Sequence, residues 1–158
     1  MISVCFVCLG NICRSPTAEG VFLHLLDEEG LDERVFVDSA GTSSHHVGEA
    51  ADRRSQKTAN RRGFHLPSRS RQFTVGDFER FDFIVAMDLS NKQNLMALAR
   101  SDTERMKITL LRDYDSSSPL NSEVPDPYYG GTGGFEMVFD MCFAACGGLL
   151  EEIRERLK

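Results

Sequence analysis

Residues 7–16 read VCLGNICRSP, with Cys8 six positions before Arg14, Gly10 and Asn11 between them, and Ser15-Pro16 directly after. A thiol at the end of an apolar run, followed by a short loop and a helix start, sits among backbone N–H groups that lack intrahelical partners. Those donors and the positive end of the helix make an anion site. The same field favours thiolate over thiol, the form that attacks an electrophile. Arg14 adds a rigid fork of charged donors matched to two oxygens of a tetrahedral anion, which a lysine would not reproduce. Gly10 and Asn11 are the residue types that most readily take unusual backbone angles, as a loop turning successive N–H groups inward requires. Ser15 is expected at the N-cap and Pro16 at the first helical position, with the Ser15 hydroxyl close enough to donate to the sulfur. The stretch is a phosphate cradle with its own nucleophile. It is not a Walker-type loop, because no Gly-Lys-Ser/Thr ending follows.

The elements that must position this loop are legible in the hydrophobic pattern. Four apolar runs, ISVCFVCL, VFVDSA, FDFIVAM and KITLL, are separated by longer stretches of helical periodicity, which predicts an α/β fold with a parallel sheet. Ala18, Val21, Phe22, Leu25 and Leu26 recur at helical spacing until Gly30. Phe135, Val138, Phe139, Cys142, Cys146, Leu149, Leu150, Ile153 and Leu157 form one stripe, predicting a long final helix against the sheet. Residues 50–62 and 89–100 read as two further helices. The first is polar-faced, with Arg53, Lys57 and Arg61 on one side, by default a solvated face. Ligands of open parallel sheets bind beyond the carboxyl ends of the strands. Cys8, Ser39, Asp88 and Asp113 should lie near that edge, as should two Ser/Gly/Pro/Asp-rich loops. Asp88 and Asp113 are read as caps or turn formers.

A chain of 158 residues, 41% hydrophobic and 27% charged, suits one domain (1–158), and a domain of that size buries about 70% of its unfolded surface. The net charge of −6 argues against general nucleic-acid or membrane-surface binding. Ile2–Leu9 lacks the basic leader of a signal peptide and the length of a membrane span. Five cysteines, an odd count, suggest reduced thiols and a cytoplasmic setting rather than a disulfide framework. Cys5 and Cys8 are spaced like a redox pair, but residues three apart on a strand face opposite sides, so Cys5 is read as core. Cys142 and Cys146, one helical turn apart on an apolar stripe, are read as buried hydrophobes rather than metal ligands.

CLGNICRS followed by PTAEG, then DSAGTS at 38–43 and DPYYG at 126–130, closely resembles the low-molecular-weight protein tyrosine phosphatases over nearly the whole chain. The resemblance implies a doubly wound four-stranded parallel sheet and two-step phosphoryl transfer without metal or other cofactor. It implies that Cys8 attacks phosphorus, that Arg14 holds the equatorial oxygens, and that Asp126 protonates the leaving phenolate and later acts as base. Asn11 and Ser15 support the sulfur, and Leu9, Gly10 and Ile12 belong to the substrate-binding loop. Bottom-up, an aspartate bracketed by prolines in VPDP is stiffly held and a fair candidate acid. Tyr128 and Tyr129 match the family's aromatic pair walling the pocket. Where many members carry another aromatic residue opposite, this chain has His45 and His46, which can stack on a ring and change charge near physiological pH. A reversible disulfide between Cys8 and Cys13 would protect the nucleophile from over-oxidation. Tyrosine-phosphorylated proteins are the expected partners, and phosphate and other oxyanions the expected inhibitors.

Two other chemistries occur on the same fold. Arsenate reduction resembles a thiol relay needing two further cysteines after the third strand, and residues 82–141 contain none. Protein-arginine phosphatases carry threonine at the position of Ile12, and an apolar β-branched residue there favours an aryl phosphate over a guanidinium. A phosphate-binding module without catalysis would have no use for the thiol.

Overall fold

The computed structural model describes residues 1–128, 130–131 and 133–158. The apolar runs form four parallel strands, β1 (Ile2–Cys8), β2 (Val35–Gly41), β3 (Phe83–Ala86) and β4 (Ile108–Leu110), in the order β2-β1-β3-β4. β1 is central because it is apolar on both faces. Val4, Phe6 and Cys8 point into one core layer and Cys5 and Val7 into the other, the alternation of an extended chain. Cys5 is thus a core residue on the face opposite Cys8.

Among the described residues, six α-helices connect and cover the strands: α1 (Arg14–Glu28), α2 (Arg53–Arg61), α3 (Asp77–Arg80), α4 (Leu89–Leu98), α5 (Asp102–Met106) and α6 (Gly133–Leu157). α1 stops at Gly30, whose φ of 68° lets the Gly30 and Leu31 amides return to the carbonyls of Asp27 and Leu26. α2 is shorter than the 50–62 expected, because the Asp52 side chain accepts from the Arg54 amide and fixes its start. The helix expected over 89–100 ends at Leu98, since Ser101 caps α5, a separate short helix. Neither α3 nor α5 has enough periodicity to show in the sequence. By length and apolar character α6 could cross a membrane, but its stripe from Phe135 to Ile153 is buried against α1 and the core layer that also takes Phe6 and Val85.

This topology gathers three chain segments at the carboxyl edge of the sheet. The amides of Thr42 and Ser43, just past β2, donate to the carbonyls of Cys8 and Leu9 at 2.9 Å each. Gly41 lies so close that a Cβ there would stand 2.6 Å from the Leu9 carbonyl oxygen. The long loop after β4 returns through a Val124 amide bonded to the Met87 carbonyl at 2.8 Å. Cys8, the β2–α2 loop and the Val124–Tyr128 segment therefore meet.

Candidate active site

One asparagine sets the turn of the loop from Cys8 to Arg14. Asn11 has a φ of 56°, the left-handed region that asparagine tolerates better than most residues. That conformation turns its amide N–H onto Cys8 Sγ at 3.3 Å. Its side chain locks it there: Nδ2 donates to Ser15 Oγ at 2.8 Å and Ser39 Oγ at 2.9 Å, and Oδ1 accepts from the Arg71 amide at 3.0 Å. Ser15 Oγ in turn lies 3.1 Å from Cys8 Sγ.

Three expectations need correction. Ser15 is not the N-cap, because Cys13 occupies that position without a side-chain cap bond; the Ser15 hydroxyl is used on the sulfur instead. Pro16 is not the first helical position, because α1 begins at Arg14. Gly10 is not required for its backbone angles, since Asn11 alone in the loop takes positive φ. Space explains the glycine: a Cβ there would stand 2.9 Å from His46 Cδ2.

Arg14 is almost wholly buried, and its Nη1 donates to Asp88 Oδ2 at 2.6 Å and to the Val124 carbonyl at 3.1 Å. Its Nη2 faces Asp126 Oδ2 at 3.7 Å. Burial opposes the guanidinium charge, but Cys8, Asp88 and Asp126 more than offset it, so Arg14 is held protonated more firmly than usual. Asp88 anchors Arg14, a role beyond the cap that its position in the sequence suggests. It does both jobs, since its Oδ1 accepts from the Asn91 amide at the start of α4. Its place at the end of a strand, at the ligand-binding edge, was the available signal. Asp113 is the turn former expected, accepting from the Asn121 amide at 2.8 Å.

Cys8 and Arg14 line a cavity of about 180 Å³ together with Leu9, Gly10, Ile12, Cys13, Ser43, His45, His46, Asp126 and Tyr128. Tyr128 is held by Arg54, whose guanidinium lies over its ring at 5.1 Å and donates to its carbonyl at 3.2 Å. Across from it, the His46 ring stands 6.1 Å from the Tyr128 ring and is fixed by Glu49 at 3.0 Å. His45 is more exposed and meets His46 edge-on. Asp126 is at the cavity mouth, its side chain 38% exposed, with Oδ1 accepting from the Tyr128 amide at 3.0 Å. Tyr129 lies outside the described residues.

A thiol under two donors, a buried arginine and a carboxylate, all on one small cavity, suits a tetrahedral oxyanion. The family model for low molecular weight phosphotyrosine protein phosphatases matches residues 3–158. The chain belongs to that family. A phosphatase from Streptomyces coelicolor named as a low molecular weight protein-tyrosine-phosphatase is 44% identical over 98% of this chain and 95% of its own. The crystal structure of a protein tyrosine phosphatase from Entamoeba histolytica superimposes with a TM-score of 0.94 at 40% identity, covering both chains completely. A Drosophila arginine phosphatase is also similar, with a TM-score of 0.87 and 34% identity over 95% of this chain and 96% of that one.

Behind the loop of this low molecular weight phosphatase lies a layer the sequence did not reveal. Ser39 Oγ donates to the buried Glu19 at 2.5 Å, extending the network from Cys8 through Ser15, Asn11 and Ser39 to a carboxyl group. Burial raises that carboxyl to about 7, despite the Ser39 hydrogen bond that favours its charge. Glu19 falls in the PTAEG stretch, but nothing in its spacing marks it as buried. Arg71 closes the layer by pairing with Asp38 and Asp77 at 3.0 and 2.9 Å. Burial, with Asp52 nearby, pushes the Cys13 thiol up to about 12. Cys142 and Cys146 are fully buried on α6, and all five cysteines are free.

Proposed function

We propose that the protein hydrolyses phosphotyrosine in proteins, and small aryl phosphates, through a phosphocysteine intermediate. In the first step Cys8 Sγ attacks phosphorus, the S–P bond forms, and the P–O bond to the phenol breaks with its electron pair leaving on oxygen. Asp126 gives that oxygen a proton. In the second step Asp126 takes a proton from water as it attacks the phosphocysteine; phosphate is released and the sulfur is the leaving group. Arg14 holds the equatorial oxygens throughout, and the Asn11 amide and Ser15 hydroxyl stabilise the sulfur as charge returns to it. The observation that carries the reading is the set of contacts on Cys8 Sγ, from Asn11 N at 3.3 Å and Ser15 Oγ at 3.1 Å, at a cavity that Arg14 and Asp126 also line. Five unpaired cysteines fit a reducing, cytoplasmic setting.

Family likeness does not separate tyrosine from arginine phosphate, since relatives of both names are similar to this chain. Ile12, buried at the cavity wall, and Tyr128 opposite His46 favour a flat apolar leaving group. The test offers p-nitrophenyl phosphate, a phosphotyrosine peptide, phosphoarginine and arsenate to wild type and Cys8→Ser, with chelator present. Wild type should turn over the two aryl phosphates with the chelator present and be inhibited by vanadate once the chelator is left out, and Cys8→Ser should turn over neither. Faster hydrolysis of phosphoarginine would overturn the substrate assignment, and undiminished turnover by Cys8→Ser the nucleophile.

A further inference from the structure

The concavity around Cys8 does not end at Tyr128. A second one shares Ile12, His46 and Tyr128 with it and continues to Arg53 and Gln56; a third runs from those two along α2 past Lys57 to Arg61. Together they form a groove leading from the cavity out along the exposed face of one helix. Arg53, Lys57 and Arg61 stand on that face at successive turns.

The neighbouring acids are already engaged. Asp52 pairs with Arg54, Glu49 with His46, and Glu136 with both Arg61 and Arg62. Among the described residues, Arg53 and Lys57 have no acidic partner, so a positive stripe adjoins the cavity on a chain whose net charge is −6. The rest of such a surface repels an acidic peptide; this stripe attracts it.

We propose that the α2 face docks acidic residues that flank the phosphotyrosine of a protein substrate, an inference that rests on the phosphotyrosine reading above. The spacing supports it. Cations one helical turn apart are separated by about 6 Å along the axis, and side chains two residues apart on an extended peptide by about 6.5 Å. A pair of Asp or Glu residues at alternate positions therefore meets Arg53 and Lys57 together. Exposed ion pairs are individually weak, so the effect belongs in KM and in the encounter rate rather than in the chemical step.

The experiment compares three phosphotyrosine peptides at low salt: one with neutral flanks, one with an alternating acidic pair before the phosphotyrosine, and one with that pair after it. p-Nitrophenyl phosphate, which has no flanks, is the reference. Arg53→Glu/Lys57→Glu is the variant, and glutamate in the first turn of α2 also suits the helix dipole. One acidic peptide should exceed the neutral one in kcat/KM by about 3–10-fold, mostly through KM. The advantage should vanish in the variant and in about 0.5 M salt, with p-nitrophenyl phosphate turnover unchanged. Equal rates for all three peptides, or an advantage that survives the double substitution, would overturn the docking proposal alone. Inertness toward p-nitrophenyl phosphate and the neutral peptide would instead overturn the phosphatase reading on which it rests.

Discussion

A guanidinium stabilises a transferring phosphoryl group only if it is already in place, and Arg14 is placed by Asp88. Because Asp88 also caps α4, its two roles need two variants. Asp88→Asn keeps a side chain that can cap but removes the charge beside Arg14. It should melt near wild type while kcat/KM for a phosphotyrosine peptide falls by about 10–100-fold, the scale of a small misplacement at a reacting centre. Asp88→Ala should lose about 1 kcal/mol of stability as well. Kinetics and thermal melts on both variants decide this, and full activity in Asp88→Asn would contradict it. Asp126→Ala should slow aryl phosphates with poor leaving groups by about 10²–10⁴-fold and those with good ones far less. Uniform slowing would remove this aspartate as the acid. Cys13 differs from both: it lines the same cavity as Cys8 and is the candidate resolving thiol, condensing with a Cys8 sulfenic acid and releasing water, although burial holds it protonated and it must first lose that proton. Cys13→Ser should then turn peroxide inactivation from thiol-reversible to permanent.

At the scale of elements, the strands and long helices were legible because their hydrophobic periods are strong. β1 announced itself by being apolar on both faces, and α6 by a stripe running from Phe135 to Ile153. What was not legible depends on contacts distant in sequence. Asp88 reaches Arg14 across 74 positions and Ser39 reaches Glu19 across 20, and no local pattern encodes either. The start of α1 departs from its Ser-Pro cap signal for a related reason: tertiary demand turns the Ser15 hydroxyl to the sulfur. Gly148 marks another such contact, since a Cβ there would fall 1.8 Å from the Tyr114 carbonyl oxygen where α6 crosses the 3-10 turn Leu111–Tyr114. Gly148→Ala should cost at least about 1–3 kcal/mol in denaturant unfolding, despite alanine's better helix propensity. A stabilised variant would show that α6 packs elsewhere.

For the whole molecule, the buried Glu19 links stability to pH. Its carboxyl binds a proton more tightly in the folded state, at about 7 against 4.5 for the free side chain. The folded state therefore holds more protons between those values, so this group's contribution falls as pH rises through that window, by roughly 3 kcal/mol. Glu19→Gln should remove that part of the slope, seen as a shrinking difference between wild-type and variant unfolding curves toward low pH. A difference that does not change with pH would exclude Glu19 as the source. The central claim, however, is covalent: one sulfur, presented by Asn11 and Ser15 at the end of β1, carries the phosphoryl group between two half-reactions. Rapid quenching of enzyme with excess p-nitrophenyl phosphate, followed by mass analysis of the Cys8 peptide, tests it most directly. The account predicts a phosphoryl group on Cys8 that disappears as substrate is exhausted and never forms in Cys8→Ser; turnover with no phosphorylated Cys8 peptide at any time would contradict it.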